Sequence, residues 1–150
     1  MNTHFLEQIE NSISVVSERY FKQIFVCDYI NGNSVKQFAE THSLPYINVN
    51  IEISRLLQDI SVSRRSFRIT EVFQQLIDKH HDDVICLDYY ELLFDNSLEI
   101  DPMILIKNNS RYKTLIISWR GKITGDTLIH AEPGHPEYKK FIVQDAIIIK

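Results

Sequence analysis

A short apolar run that ends on a carboxylate limits the choice of fold more than any other feature of this chain. Residues 84–87 are Val-Ile-Cys-Leu, and Asp88 follows them directly. Such a run is typical of a strand in a parallel sheet, because helices cover both faces of these sheets. Ligands bind beyond the carboxyl ends of the strands. Asp88 is therefore a candidate metal-directing carboxylate of a nucleotide site; the alternative is a core strand whose Asp caps the next segment.

Strand-like and helix-like patterns alternate along the chain. Helical spacing of apolar residues covers segments 3–20, 35–42, 51–57 and 67–80, and apolar runs predict strands near 23–27, 46–49, 84–88 and 114–119. This alternation predicts an α/β fold, a mostly parallel sheet with helices on both faces in three layers, as in P-loop NTPases. Segments 127–131 and 141–150 are predicted to add antiparallel or edge strands to that sheet. The 150 residues are expected to form one domain, with an N-terminal helix in 1–20 and the core in 21–150.

Two local predictions follow from the same patterns. Asn50 is predicted to cap a helix that starts at Ile51, and Pro102 is predicted to lie in a first helical turn or at a break. Five residues of the predicted strands are expected to be almost fully buried: Val26, Ile85, Leu87, Leu115 and Ile117.

The segment between the first strand and the next helix has the length of a phosphate-binding loop. A P-loop reads Gly, four residues, Gly-Lys and then Ser or Thr. Gly32 and Ser34 match this pattern, whereas Cys27 replaces the first Gly and Asn33 replaces the Lys. Asn33 cannot neutralise a phosphate, Cys27 resists the backbone geometry that Gly allows, and Asp28 adds negative charge. The loop therefore predicts a weakened ATP site at residues 32–34; the alternative is a plain strand–turn–helix.

Four residues are assigned roles if this is a nucleotide site. Asp88 and Ser34 would hold Mg²⁺. Glu91 would be the general base, although a carboxylate at a helix start is the commoner role of such a residue. Arg120, which follows the strand at 114–119, would lie near the γ phosphate or would be an ordinary surface charge.

The other signals are weaker. His130, Glu132 and His135 lie within six residues, but the turn that contains them is stiff and no further ligand is nearby, so we expect no metal there. Cys27 and Cys86 belong to no Cys/His motif and are interpreted as buried free thiols.

The charge balance argues against a dedicated DNA-binding domain, because the net charge is -4 and no basic block is present. A basic patch from Arg55, Arg64, Arg65 and Arg68 is interpreted as a solvated face. The N-terminus lacks the basic and long apolar regions of a signal peptide, and no apolar run approaches about 20 residues, so a cytoplasmic protein is expected.

Several segments together resemble a known family. They are Pro-Tyr-Ile-Asn-Val-Asn at 45–50 with Ser54 and Leu56, Leu-Asp at 87–88 with Glu-Leu-Leu-Phe at 91–94, Asp-Pro at 101–102, and Ala-Glu-Pro-Gly-His-Pro-Glu-Tyr at 131–138. The chain resembles, over about residues 20–150, the BrxF family of small P-loop proteins in type 3 BREX bacteriophage-defence systems. The segment at 131–138 is the most specific part.

The resemblance implies a role in phage defence beside a large ATPase, a DNA methyltransferase and an alkaline-phosphatase-like protein. Contact with DNA would be indirect or weak, and self-association stays open. Members of the family keep a full phosphate loop, from which this chain departs at Cys27 and Asn33. The first hypothesis is therefore a non-catalytic or weakly nucleotide-binding subunit. The alternatives are an active ATPase that uses ATP and Mg²⁺ through an unusual loop, and a nucleic-acid-binding accessory protein.

Overall fold

A computed structural model describes residues 3–29, 32–131 and 133–150 of the chain. The α-helices are α1 (Thr3–Val16), α2 (Ser34–His42), α3 (Val49–Leu57), α4 (Arg65–Asp78) and α5 (Pro102–Asn108). The strands are β1 (Gln23–Cys27), β2 (Tyr46–Asn48), β3 (Val84–Asp88), β4 (Thr114–Trp119), β5 (Ile123–Thr124), β6 (Thr127–His130), β7 (Lys139–Ile142) and β8 (Ala146–Ile149). Short 3-10 helices cover Val62–Arg64, Glu91–Phe94 and Asn96–Leu98.

Five strands form one parallel sheet in the order β2-β3-β4-β1-β8. Every neighbouring pair in it is parallel. The predicted α/β class and mostly parallel sheet are therefore confirmed, as are the four strands predicted near 23–27, 46–49, 84–88 and 114–119. Because all five strands point the same way, their carboxyl ends meet at one edge of the sheet.

Helices cover both faces of the sheet, which explains the unbroken apolar run at 84–87. Side chains alternate between the faces along a strand. Ile85 and Leu87 pack with α3, α4 and α5, whereas Cys86 packs with α1 and α2 on the opposite face. The helix α1 belongs to this layer because its residues Ile9 and Val16 are fully buried against the sheet.

The predicted core is confirmed, since Val26, Ile85, Leu87, Leu115 and Ile117 all have an exposed fraction of 0%.

Ile85→Ala is expected to lower the free energy of unfolding by about 2–5 kcal/mol, because it removes buried methyl groups and leaves a cavity. Denaturant unfolding measures this loss. The exposed Ile51 on α3 offers a matched control, and Ile51→Ala should change stability by less than about 0.5 kcal/mol. Equal losses for the two variants would contradict the assignment of Ile85 to the sheet interior.

The C-terminal third differs from the prediction. The segment 141–150 is not one strand, because β7 ends at Ile142 and β8 begins at Ala146. β7 pairs with β6 in a separate antiparallel sheet of order β5-β6-β7, while β8 joins the main sheet beside β1. Asp145, with a φ of 60°, lies in the turn between them and redirects the chain. Apolar spacing alone does not mark this break.

The cap of α3 also differs from the prediction. Asn48, not Asn50, precedes the helix, and its side-chain oxygen accepts a hydrogen bond from the backbone N–H of Ile51 at 3.2 Å. Pro102 lies in the first turn of α5, where Asp101 caps the helix through the backbone N–H groups of Met103 and Ile104. Among the described residues, none of the helices is long and apolar enough to cross a bilayer.

Candidate functional site

Polar side chains collect at the edge of the sheet where the parallel strands end. Asp28 follows β1, Asp88 ends β3, and Ser118 and Arg120 lie at the end of β4, which is the strand between them. Asp28 and Asp88 have exposed fractions of only 1% and 0%. Two buried carboxylates at one edge need compensation, because burying an unpaired charge is very costly.

Asp28 is compensated by the start of helix α2. Its carboxylate accepts hydrogen bonds from the backbone N–H groups of Ser34 at 2.9 Å and Val35 at 3.3 Å. The hydroxyl of Ser118 donates a third hydrogen bond at 2.7 Å. The positive end of the helix dipole favours a negative group at this position. In a phosphate-binding loop this is where a phosphate lies, so the chain places its own carboxylate in the anion position.

The loop before α2 is closed tightly over Asp28. A Cβ atom on Gly32 would lie 2.8 Å from the Asp28 Cα, which no side chain tolerates without a backbone shift. Asn33 precedes α2, but its side chain makes no capping hydrogen bond and is exposed. Asp28 caps the helix instead. Ile30 and Asn31 of the loop lie outside the described residues.

Asp88 is compensated by Arg120. The Arg120 Nε donates to one carboxylate oxygen at 2.8 Å and its Nη2 donates to the other at 2.7 Å. The Tyr46 hydroxyl also donates to Asp88, and so does the backbone N–H of Tyr89, at 2.8 Å. Each oxygen of Asp88 therefore accepts two hydrogen bonds, so the carboxylate is saturated.

Arg120 links the two halves of this edge. Its Nη1 donates to the carbonyl of Gly32 at 2.7 Å, so one guanidinium connects the loop before α2 with the end of β3. The guanidinium carbon lies 4.5 Å from the ring centre of Tyr89, whose φ of 50° turns the backbone directly after Asp88. The hydrogen bonds to Asp88 raise the pKa of Arg120, so it stays charged. Burial and then the hydrogen bond to Asp88 raise the pKa of Tyr46, so it stays a donor.

A cleft of about 230 Å³ opens beside this network. Its walls include Tyr29, Glu91, Arg120, Lys122 and His130. Glu91 starts a 3-10 helix and accepts a hydrogen bond from the Asn50 side chain at 2.7 Å. The cleft thus brings together Glu91 and Arg120, whereas Asp88 lies buried behind Arg120.

The arrangement does not fit a bound Mg²⁺–nucleotide. All four hydrogen-bond positions of Asp88 are taken, and the helix end that would hold phosphate is filled by Asp28. Asn33 brings no cation to this place. A nucleotide would have to displace Asp28 and separate Arg120 from Asp88.

The two histidines of the weak metal signal have ordinary structural roles in the described residues. His130 stacks on Phe94 with ring centres 3.9 Å apart, and burial lowers its pKa. His135 accepts a hydrogen bond from the backbone N–H of Glu137 at 3.0 Å, and Glu132 lies outside the described residues. The described residues contain no group of three His, Cys, Asp or Glu side chains arranged to hold a metal.

The arginines between 55 and 68 are mostly engaged locally. Arg55 pairs with Glu52 at 3.1 Å, Arg68 lies 3.5 Å from Glu71, and Arg65 donates to a backbone carbonyl. These contacts agree with the interpretation of a solvated face.

Cys86 is expected to be unreactive in the folded protein. It is fully buried, and burial raises the pKa of its thiol to about 12, so the reactive thiolate is absent near neutral pH. Ellman's reagent should modify at most the half-buried Cys27 in the native state and both thiols after unfolding. Cys27→Ser is the control and should abolish the native reaction. Rapid modification of two thiols without denaturant would contradict the buried position.

Sequence reasoning identified Asp88, Gly32, Ser34 and Arg120 but not the way they connect. It treated Asp28 only as an unfavourable charge and gave Tyr46 no role. A usable signal existed for Asp28, because it directly follows the predicted strand at 23–27, while Asp88 ends the predicted strand at 84–88. Carboxyl ends of parallel strands share one edge, so this signal places the two carboxylates and Arg120 at the same edge of the sheet, although it does not pair them.

The chain matches no protein-family model, no curated protein and no solved structure in the comparisons made.

Proposed function

We propose that this protein is a non-catalytic, cytoplasmic P-loop-like subunit of a BREX-type phage-defence system, and that it acts through protein partners. The observation that carries the non-catalytic part is the internal carboxylate at the start of α2. Asp28 takes the hydrogen bonds that a P-loop offers to phosphate, and Arg120 is committed to Asp88. The defence role rests on the resemblance of segments 45–50, 87–94 and 131–138 to the BrxF family.

Partners in this proposal are the large ATPase, the DNA methyltransferase and the alkaline-phosphatase-like protein of the same system. A sheet edge stabilised by an internal ion pair and by hydrogen bonds is suited to present a fixed surface, because it needs no ligand to complete it. The subunit would then contribute shape and contacts, and the large ATPase would supply hydrolysis.

A substitution at Ser34 tests whether the protein needs ATPase chemistry without disturbing its fold. In an active P-loop ATPase the hydroxyl of this residue holds Mg²⁺, whereas here the backbone N–H of Ser34 donates a hydrogen bond to Asp28. The defence role itself is tested by deletion. Removing the gene from a host that carries the complete defence system should abolish phage restriction. Ser34→Ala should preserve restriction, measured as the efficiency of plaque formation.

Each other outcome rejects one part of the proposal. If Ser34→Ala is as defective as the deletion while the protein remains folded, the chain is an active ATPase. If the deletion leaves restriction unchanged, the defence role is wrong. Calorimetry with ATP and Mg²⁺ on the purified protein should show weak or absent binding.

A further inference from the structure

A second cluster of polar and aromatic side chains lies at the opposite edge of the sheet. Lys22 precedes β1, Lys113 precedes β4 and Asp145 precedes β8, so the cluster surrounds the amino ends of these parallel strands. We call it the amino-edge patch and define it by seven residues: Arg19, Tyr20, Phe21, Lys22, Lys107, Arg111 and Tyr112. It is remote from the network of Asp28, Asp88 and Arg120, which lies at the carboxyl ends.

Cations and aromatic rings alternate in this patch. The Arg111 guanidinium carbon lies 3.5 Å from the ring centre of Tyr20 and 5.0 Å from that of Tyr112. The Lys107 ammonium lies 4.6 Å from the ring centre of Phe21, which meets Tyr20 edge to face at 4.7 Å. These contacts join two distant segments of the chain into one continuous surface.

Hydrogen bonds from Lys22 to backbone carbonyls hold the two segments together. The Lys22 ammonium donates to the carbonyls of Arg19 at 2.9 Å and Arg111 at 2.8 Å. The Lys22 backbone N–H donates to the carbonyl of Ser110 at 2.8 Å. The patch is thus preorganised, and binding would cost little additional ordering of the backbone.

The patch is exposed and locally basic. The exposed fractions of Tyr20 and Tyr112 are 63% and 84%, which is high for large aromatic side chains. Segments 18–22 and 107–113 carry five Lys or Arg residues and one acid, in a chain whose net charge is -4. Asp145 pairs with Lys107 at 3.2 Å and offsets part of that excess. A hollow of about 470 Å³, lined by Arg19, Tyr20, Phe21, Asp145 and Ala146, leaves room for a ligand beside the patch.

We infer that the amino-edge patch binds single-stranded nucleic acid, with a base stacking on Tyr112 and phosphates contacting Arg19 and Arg111. Exposed rings give stacking surfaces and interleaved cations give phosphate contacts, which is the combination that single-strand-binding proteins use. Duplex bases are already stacked on each other, so the rings favour a single strand. This would be a direct contact with nucleic acid, whereas only an indirect or weak one is expected from the sequence. It does not depend on the function of the carboxyl edge.

Fluorescence anisotropy with a labelled oligothymidylate of about 15 nucleotides tests the inference, because one such module covers about 4–16 nucleotides. The full chain should bind it at low salt, more tightly than a duplex of the same length, and binding should weaken as salt rises. Tyr112→Leu should weaken binding about five- to hundredfold, whereas Tyr112→Phe should retain it, since only the latter keeps a flat ring. Arg19→Gln should reduce the slope of log affinity against log salt by about 0.7.

The exposed Phe67 near Arg64 and Arg68 provides the matched control, because it is an aromatic beside cations on another surface. Phe67→Leu should leave binding unchanged. The inference is overturned if the oligothymidylate does not bind at low salt, or if the duplex binds more tightly. It is also overturned if Tyr112→Leu and Phe67→Leu have equal effects. Loss of binding by Tyr112→Phe together with Tyr112→Leu would assign the contact to the hydroxyl and would also reject stacking.

Discussion

Arg120→Ala is expected to lower the free energy of unfolding by about 3–5 kcal/mol, because it removes the half-buried charged partner of a fully buried carboxylate. Asp88 has an exposed fraction of 0% and receives two hydrogen bonds from this guanidinium. Without Arg120, only the Tyr46 hydroxyl and the Tyr89 N–H would remain to compensate its charge. The loop before α2 would also lose the hydrogen bond at the Gly32 carbonyl.

Denaturant unfolding of a set of variants separates charge from geometry. Arg120→Lys keeps the charge but cannot form the two-pronged contact, so it should show an intermediate loss. The double variant Asp88→Asn with Arg120→Gln removes both charges. Its loss of stability should be smaller than the sum of the losses of Asp88→Asn and Arg120→Gln made separately. A loss below about 1 kcal/mol for Arg120→Ala would mean that the pair forms no part of the stable core.

The main sheet was predictable because short apolar runs in the sequence mark its strands. Strands buried on both faces are largely apolar, and the unbroken apolar runs at 84–87 and 115–117 show this directly. The break between β7 and β8 was harder to predict, because only Gln144 and Asp145 interrupt the apolar residues of 141–149. The two strands differ in composition, since β7 is Lys-Lys-Phe-Ile and β8 is Ala-Ile-Ile-Ile, but the partner of each depends on contacts far along the chain.

The candidate site was predictable residue by residue but not as a network. Asp88 and Arg120 are separated by 32 positions, and nothing in either segment indicates that they pair. Tyr46 reaches Asp88 only because β2 lies beside β3 in the sheet. Asp28 shows this most clearly. Its carboxylate would repel a phosphate, but it can also occupy the position of the phosphate at the start of α2. Which of the two roles Asp28 has depends on whether its carboxylate turns toward the start of α2, and the sequence does not specify this.

The last prediction concerns the internal carboxylate and the missing cation of the phosphate loop. Cys27→Gly with Asn33→Lys should strengthen ATP binding, because a charge-assisted contact to phosphate is worth roughly 1.5–3 kcal/mol, or about ten- to hundredfold in affinity. The full gain is expected only when Asp28→Ala is added, since the new lysine would otherwise pair with the Asp28 carboxylate. That third change frees the N–H groups of Ser34 and Val35 for a phosphate oxygen.

Calorimetry with ATP and Mg²⁺ on the native protein, the double variant and the triple variant measures two contributions separately. They are the effect of the repaired loop and the effect of removing the Asp28 carboxylate. The native protein should bind with a dissociation constant near millimolar or weaker, the double variant modestly better, and the triple variant best. Three donors now satisfied by Asp28 would be left without a partner in the triple variant, so ATP should also raise its thermal stability more than that of the native protein. Tight binding of ATP by the unmodified chain, lost in Asp88→Ala, would show instead that the nucleotide displaces Asp28. The network at the carboxyl edge would then be the resting state of an active ATPase, and Asn33 would bind phosphate through hydrogen bonds alone.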